Sequence, residues 1–222
     1  MLDLLQTTNP LDSSGSMADG HRIKAFFWNC NGISGKRHHL EVLLNLHKPP
    51  IVALAETKLI SSTLDREICD GYTLYRRDRP NQGSGRGGGV LIGINDLCNI
   101  KVVDCFIDST GELITTHLVV NGFSFHFVVY YRRPIVKNAD DFIAWYQNQI
   151  SSNLVIVGDF NLPNINWNNR TLKTCNDKSM HESFLNVIAS SDLEQKVNFP
   201  THKCGNTLDL LLSNLDVSTP PR

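Results

Sequence analysis

Nine residues, Asn153–Asn161 (Asn-Leu-Val-Ile-Val-Gly-Asp-Phe-Asn), constrain this chain more than any others. Four apolar residues, three of them β-branched, make a run too short for a helix and suited to a strand buried on both faces. Gly158 breaks the run, and Asp159 and Asn161 follow two positions apart. Side chains alternate along an extended chain, so both polar groups point to one side, just past the carboxyl end of the strand. Open sheets place chemistry there. One carboxylate and one amide do not define a reaction, so partners must come from elsewhere in the sequence.

Other segments read as strands by the same logic. Arg22–Trp28, Ile51–Ala55, Val90–Ile94, Lys101–Ile107, Leu113–Val120, Phe123–Tyr131 and Thr207–Leu212 are apolar or alternating runs. Asn121-Gly122 between two of them is a type I′ hairpin signal. Leu40, Leu43, Leu44 and His47 recur at helical spacing, which predicts a helix over Lys36–His47, stopped by Pro49-Pro50. Phe142, Trp145, Tyr146 and Gln149 form a second helical stripe after a cap at Asn138, read as core packing, and Lys178–Ser190 a third helix. A literal G-x-G-x-x-G at Gly83, Gly85 and Gly88 has a polar loop before it and a strand after it. A dinucleotide site needs the reverse order, so this is a turn feeding a strand. Hairpins mixed with strands separated by helices predict an α/β fold, a sandwich of two mixed sheets with helices outside.

At 222 residues the chain suits one large domain. The reading divides it into a disordered leader (1–20, rich in Ser, Thr, Asn, Asp and Gly), a domain over 21–214, and a tail over 215–222. A net charge of −1 argues against a chain that coats nucleic acid unselectively. The six cysteines include no Cys-x-x-Cys pair, so neither a zinc site nor a disulfide framework is expected. No apolar stretch approaches the roughly 18–20 residues of a membrane span, and no signal-peptide pattern opens the chain. The expectation is an intracellular protein, nuclear or cytoplasmic, not secreted and not membrane-bound.

Several predicted strand ends carry polar side chains: Asn29 with Asn31, Glu56, Tyr131, and Asp159 with Asn161, while Asp209 interrupts the apolar run Leu208–Leu212. A buried carboxylate such as Asp209 asks for a partner. Together these groups suit phosphodiester hydrolysis with a hard divalent ion, since Mg²⁺ prefers carboxylate oxygen and keeps several waters. Glu56 provides the anchor, with Asn31 helping. Asp159 can take the proton of an attacking water, Asn161 can orient that water or the phosphate, and Tyr131 and Asn29 can donate to phosphate oxygens. Arg76, Arg77, Arg79, Arg132 and Arg133 are candidates for gripping a DNA backbone.

The sequence resembles the endonuclease/exonuclease/phosphatase (DNase I-like) family. Trp28-Asn29-Cys30-Asn31-Gly32, Leu54-Ala55-Glu56-Thr57, Gly158-Asp159-Phe160-Asn161 and Thr207-Leu208-Asp209 match its motifs in order. It looks most like the endonuclease domain of non-LTR (LINE-type) retrotransposons, through Arg86-Gly87-Gly88-Gly89-Val90, Tyr131-Arg132-Arg133-Pro134 and the run Gly158–Trp167. The resemblance implies Glu56 as the main Mg²⁺ ligand (Mn²⁺ serving as well), with Asn31 beside it. It implies Asp159 at the nucleophilic water, Asn161 on the phosphate, and Asn29 and Tyr131 on the scissile group. Thr201 resembles a DNA-contacting threonine, and Asp209 would orient a catalytic histidine.

That histidine is where the sequence departs from the family. None of the eight histidines follows a Ser-Asp pair, so a Ser-Asp-His motif and its last strand are expected to be lacking, as in a C-terminally truncated retroelement copy. The leading expectation is a Mg²⁺-dependent DNA endonuclease, once fused to a reverse transcriptase, that nicks a target strand and is impaired here. Its alternatives are a non-catalytic nucleic-acid- or protein-binding remnant and a phosphodiesterase acting on small or lipid phosphoesters. The sequence is silent on oligomeric state.

Overall fold

The computed structural model describes residues 2–7, 23–79, 87–108, 112–134, 140–149, 153–173 and 178–219. In chain order its elements are β1 (Leu2–Thr7), β2 (Lys24–Asn29), α1 (Arg37–His47), β3 (Ile51–Ala55), β4 (Tyr72–Arg77), β5 (Val90–Asn95), β6 (Lys101–Ile107), β7 (Leu113–Val120) and β8 (Phe123–Tyr131). They continue with α2 (Asp140–Gln147), β9 (Leu154–Asp159), β10 (Ile165–Asn166), β11 (Thr171–Leu172), α3 (Lys178–Ala189), β12 (Glu194–Gln195), β13 (Asp209–Ser213) and β14 (Val217–Ser218). The expected α/β sandwich of two mixed sheets is what the chain forms. One sheet runs β14-β1-β2-β3-β5-β4 and the other β12-β13-β9-β8-β7-β6, with parallel pairs at β2–β3 and β8–β9.

Strand alternation builds the layers. Odd-numbered β3 residues Ile51, Ala53 and Ala55 face Ile114, Phe127, Val129 and Val157 between the sheets. Even-numbered Val52 and Leu54 turn outward, under Leu40 and Leu44 of α1. On the far side, Val128, Tyr130, Ile156, Leu210 and Leu212 pack beneath α2 and α3 through Phe142 and Phe184. The stripe on α2 is therefore core packing, as its sequence indicates. Each buried large apolar side chain contributes about 1.5–3 kcal/mol.

Turns follow residue chemistry. Asn121 and Gly122 both adopt positive φ (50° and 82°), the I′ geometry expected of Asn-Gly. Lys48 closes α1 in the left-handed region and returns its N–H to the Leu44 carbonyl, ahead of Pro49. The Asn138 cap, Gly83 and Gly85 lie outside the described residues.

Some readings need correction. Leu2–Thr7, assigned from composition to a disordered leader, is a strand between β2 and β14, and Val217–Ser218 of the assigned tail is β14 itself. Backbone pairing supplies what the side-chain pattern does not signal. Tyr72–Arg77, not recognised as a strand, is the edge strand β4, paired along its length with β5. Gly158 does not end β9: it lies inside the strand, opposite Tyr130 on one side and Leu210 on the other.

A Cβ at position 158 would overlap the Tyr130 carbonyl oxygen, which is backbone and cannot yield cheaply. Gly158→Ala should therefore destabilise the protein by about 3 kcal/mol, the upper end for overpacking. A denaturant midpoint unchanged from the parent would refute that close approach.

Candidate active site

The parallel strand β2 and its neighbour β3 end on the same side as β8 and β9, and antiparallel β13 starts there. Asn29 closes β2, Glu56 follows β3, Tyr131 closes β8, Asp159 closes β9, and Asp209 opens β13 opposite Asp159. Asn29, Asn31, Glu56, Asp159, Asn161 and Asp209 line one cleft of about 350 Å³ at the seam of the two sheets. Thr201 and His202 share it.

Two clamps fix the acidic residues. Past β3 the backbone of 56–58 is held from both flanks. Gly32 and Ile33 donate to the carbonyls of Glu56 and Thr57 (2.7 and 3.0 Å), while Thr57 and Lys58 donate to those of Gly89 and Gly88 (3.1 and 2.8 Å). Glu56 itself sits at φ 52°, a conformation that costs a non-glycine residue and persists only where surroundings enforce it. The glycine-rich turn thus has a structural task. Gly89 (φ 86°) brings its N–H onto Glu112 and its Cα against Thr57 where a side chain would collide.

The second clamp is Arg132. Its Nε donates to the Phe160 carbonyl (2.8 Å), one Nη to the Asn161 carbonyl (2.5 Å), and its backbone N–H to the Asp159 carbonyl (2.9 Å). Asn161, at φ 49°, returns its side-chain amide to the Arg132 carbonyl (2.7 Å) and its own N–H to Asp159 Oδ1 (3.1 Å).

Between the clamps, the Asn29 amide nitrogen donates to both Glu56 Oε1 (3.1 Å) and Asp159 Oδ2 (2.7 Å). Asn29 Oδ1 in turn accepts the Asn31 N–H (3.2 Å), which fixes the direction of the amide. One nitrogen bridges two carboxylates from different sheets, so they lie within the span of a single hydrated ion. Burial first, then the charges of Asp209 and Glu56, raises the Asp159 pKa to about 8. Burial likewise raises Asp209 to about 6, against the Thr201 hydroxyl beside it. Asp209 Oδ1 is buried without a hydrogen-bond partner among the described residues.

These shifts set a pH dependence. Both groups favour the neutral form when folded, so their contribution to stability is full below their ordinary value of 3.8 and is lost as pH rises through about 6 and about 8. In chelating buffer the thermal midpoint should fall across this window, and Asp159→Asn should flatten the fall. A midpoint that rises over the same window would contradict the arrangement.

The donors fit a hard divalent cation: carboxylate oxygens dominate, one of them orphaned, in a cleft with room for water. Among the described residues no three His, Cys, Asp or Glu side chains form a ready cage. Mg²⁺ needs only one or two carboxylates with its waters. Asn31 is a poorer ligand than expected. Its Oδ1 accepts from the Lys58 ammonium at 2.5 Å, and an oxygen facing one cation is not open to another.

The remaining assignments divide. Thr201 lines the cleft, but its hydroxyl accepts the N–H groups of Leu208 and Asp209 (2.9 and 3.0 Å), anchoring the start of β13. Tyr131 is buried in the inter-sheet core. Burial raises the pKa of its hydroxyl, with Glu56 and Asp159 adding to the rise. Arg132 is not a surface grip: it is only 4% exposed, as the clamp requires. Arg76 is not one either, since its guanidinium is tied to Asp65 (2.6 Å) and Asp78 (2.5 Å) and the Thr63 carbonyl (2.8 Å). Arg77 ends β4 opposite Val90. Arg133 is partly exposed and shares Glu112 with Arg79. Glu112, Lys58 and His202 were not among the expected site residues; only tertiary structure brings them here.

A family model described as Endonuclease-reverse transcriptase matches residues 125–220. The endonuclease domain of TRAS1, a telomere-specific non-LTR retrotransposon, superposes with a TM-score of 0.64 at 11% identity, covering 86% of this chain and 84% of that one. The chain is DNase I-like in fold. The human Nocturnin catalytic domain (TM-score 0.63, 16% identity, 86% and 81% covered) shares the DNase I-like architecture. An AP endonuclease from Archaeoglobus fulgidus (0.54, 16%, 86% of each chain) shares it as well. No curated protein sequence matches the chain significantly.

Proposed function

We propose that this DNase I-like chain is a divalent-metal-dependent DNA endonuclease domain of the kind found in non-LTR retrotransposons, one that nicks a strand by phosphodiester hydrolysis. The observation that carries the reading is the Asn29 amide joining Glu56 to Asp159 across the two sheets. The likeness to nuclease structures supports it, and a link to a reverse transcriptase is part of the proposal.

Glu56, with the facing carboxylate of Asp159, would hold Mg²⁺ or Mn²⁺, which when bound supplies positive charge against the phosphate oxygens. Asp159, in the ionised form that the charge of a bound cation would favour, accepts the proton of the attacking water, while the Asn161 N–H on Oδ1 and the Asn29 amide on Oδ2 orient the carboxylate. Asn29 holds the two carboxylates in place, and the protonated Tyr131 hydroxyl is the donor for the developing charge. His202 lines the cleft with Asp209, and it is assigned the leaving-group side.

Nicking of supercoiled plasmid in Mg²⁺ tests the reading. The parent should nick and EDTA should stop it. Glu56→Ala should abolish the activity, and His202→Ala should reduce it. Equal nicking by the parent and Glu56→Ala would reject the assignment. The orphaned Asp209 Oδ1 favours a second reading, a DNA-binding module without turnover. Salt-sensitive DNA binding with no nicking would select it.

A further inference from the structure

The outer face of the second sheet is only partly roofed by helices. Beside α2, the faces of β6, β7 and β8 form the floor of a separate cleft of about 530 Å³, within the range of small-molecule sites. Phe106 and Trp145 supply its apolar walls, and Asp104, Asp108 and Asp141 its charge. Among the described residues no Lys or Arg lines it.

Acidity alone would not make a site. The decisive feature is Thr115, 6% exposed, whose Oγ1 is buried in this lining without a partner among the described residues. His126 Nδ1 is in the same condition, with its ring stacked on His117 at 4.7 Å. A desolvated hydroxyl left unpaired is costly, and a bound polar group would recover that cost. Burial, with His117 adding to it, lowers the His126 pKa, so that ring stays neutral at neutral pH and does not offset the carboxylates.

We propose that this cleft binds a primary ammonium carried on a flat apolar body. The aromatic part lies against Trp145 and Phe106, the ammonium is held at Asp104, and Thr115 completes its hydrogen bonds. The same chemistry can come from a free arylalkylamine or from a lysine next to an aromatic residue in a peptide. None of these residues lines the carboxylate cleft, so the assignment stands or falls independently of nuclease activity.

Calorimetry with tryptamine and with acetyl-Trp-Lys-amide tests it, while the His117 and His126 ring signals are followed by NMR. At least one probe should bind and shift both rings. Tighter tryptamine binding identifies a free amine as the ligand, tighter peptide binding a lysine side chain. Asp104→Asn and Thr115→Val should each weaken the better probe by about tenfold, the effect of losing one charge-assisted contact. Asp104 is exposed, so its variant will fold. The proposal is overturned if neither probe binds, if tryptophol or indole-3-propionate binds as well as tryptamine, or if both variants bind like the parent.

Discussion

Asp159→Asn should lower Mg²⁺-dependent plasmid nicking by about two to four orders of magnitude, the range lost with a positioned general base. The substitution keeps the size of the side chain and an oxygen for the Asn161 N–H, so the 159–161 turn should survive. It removes the protonatable group by which the second sheet meets the Asn29 amide. Circular dichroism and the thermal midpoint in chelator should match or exceed the parent, because a buried carboxyl with a raised pKa has been replaced by a neutral amide. Activity within threefold of the parent would remove Asp159 from the chemistry.

Arg132→Ala should destabilise the protein by about 2–5 kcal/mol, since it strips donors from two carbonyls in a buried turn. For a chain of this size that is a drop of about 10 °C in the melting midpoint. Arg132→Lys should recover little, because one ammonium cannot reproduce a planar fork that reaches Phe160 and Asn161 at once. A surface role would predict the opposite pattern: unchanged stability, weaker DNA binding, and rescue by lysine. Thermal melts of the two variants separate these cases.

Much of the architecture was legible in the residues. Ile51–Ala55, Lys101–Ile107, Leu113–Val120 and Phe123–Tyr131 stand where β-branched and aromatic runs bounded by turn residues put them. The convergence of Asn29, Glu56, Asp159 and Asp209 was legible too, because each interrupts or ends an apolar run. β4 was hidden because an edge strand is half-buried, and its two arginines read as surface. The roles of Arg76 and Arg132 could not be read for a related reason: a guanidinium in sequence signals charge, and only its neighbours reveal whether it meets solvent or a row of carbonyls. Glu112 and Lys58 reach the site through long-range contacts that no local pattern encodes.

β1 pairs with β14 through Gln6–Ser218 and Thr7–Val217, residues far apart in sequence. During synthesis β2 can pair early with β1 and β3, whereas the outer flank of β1 stays open until β14 has emerged. Such late, long-range closure is slow. In the interval the nascent chain exposes an unpaired strand edge that other chains can extend, so crowded expression should favour aggregates seeded at β1.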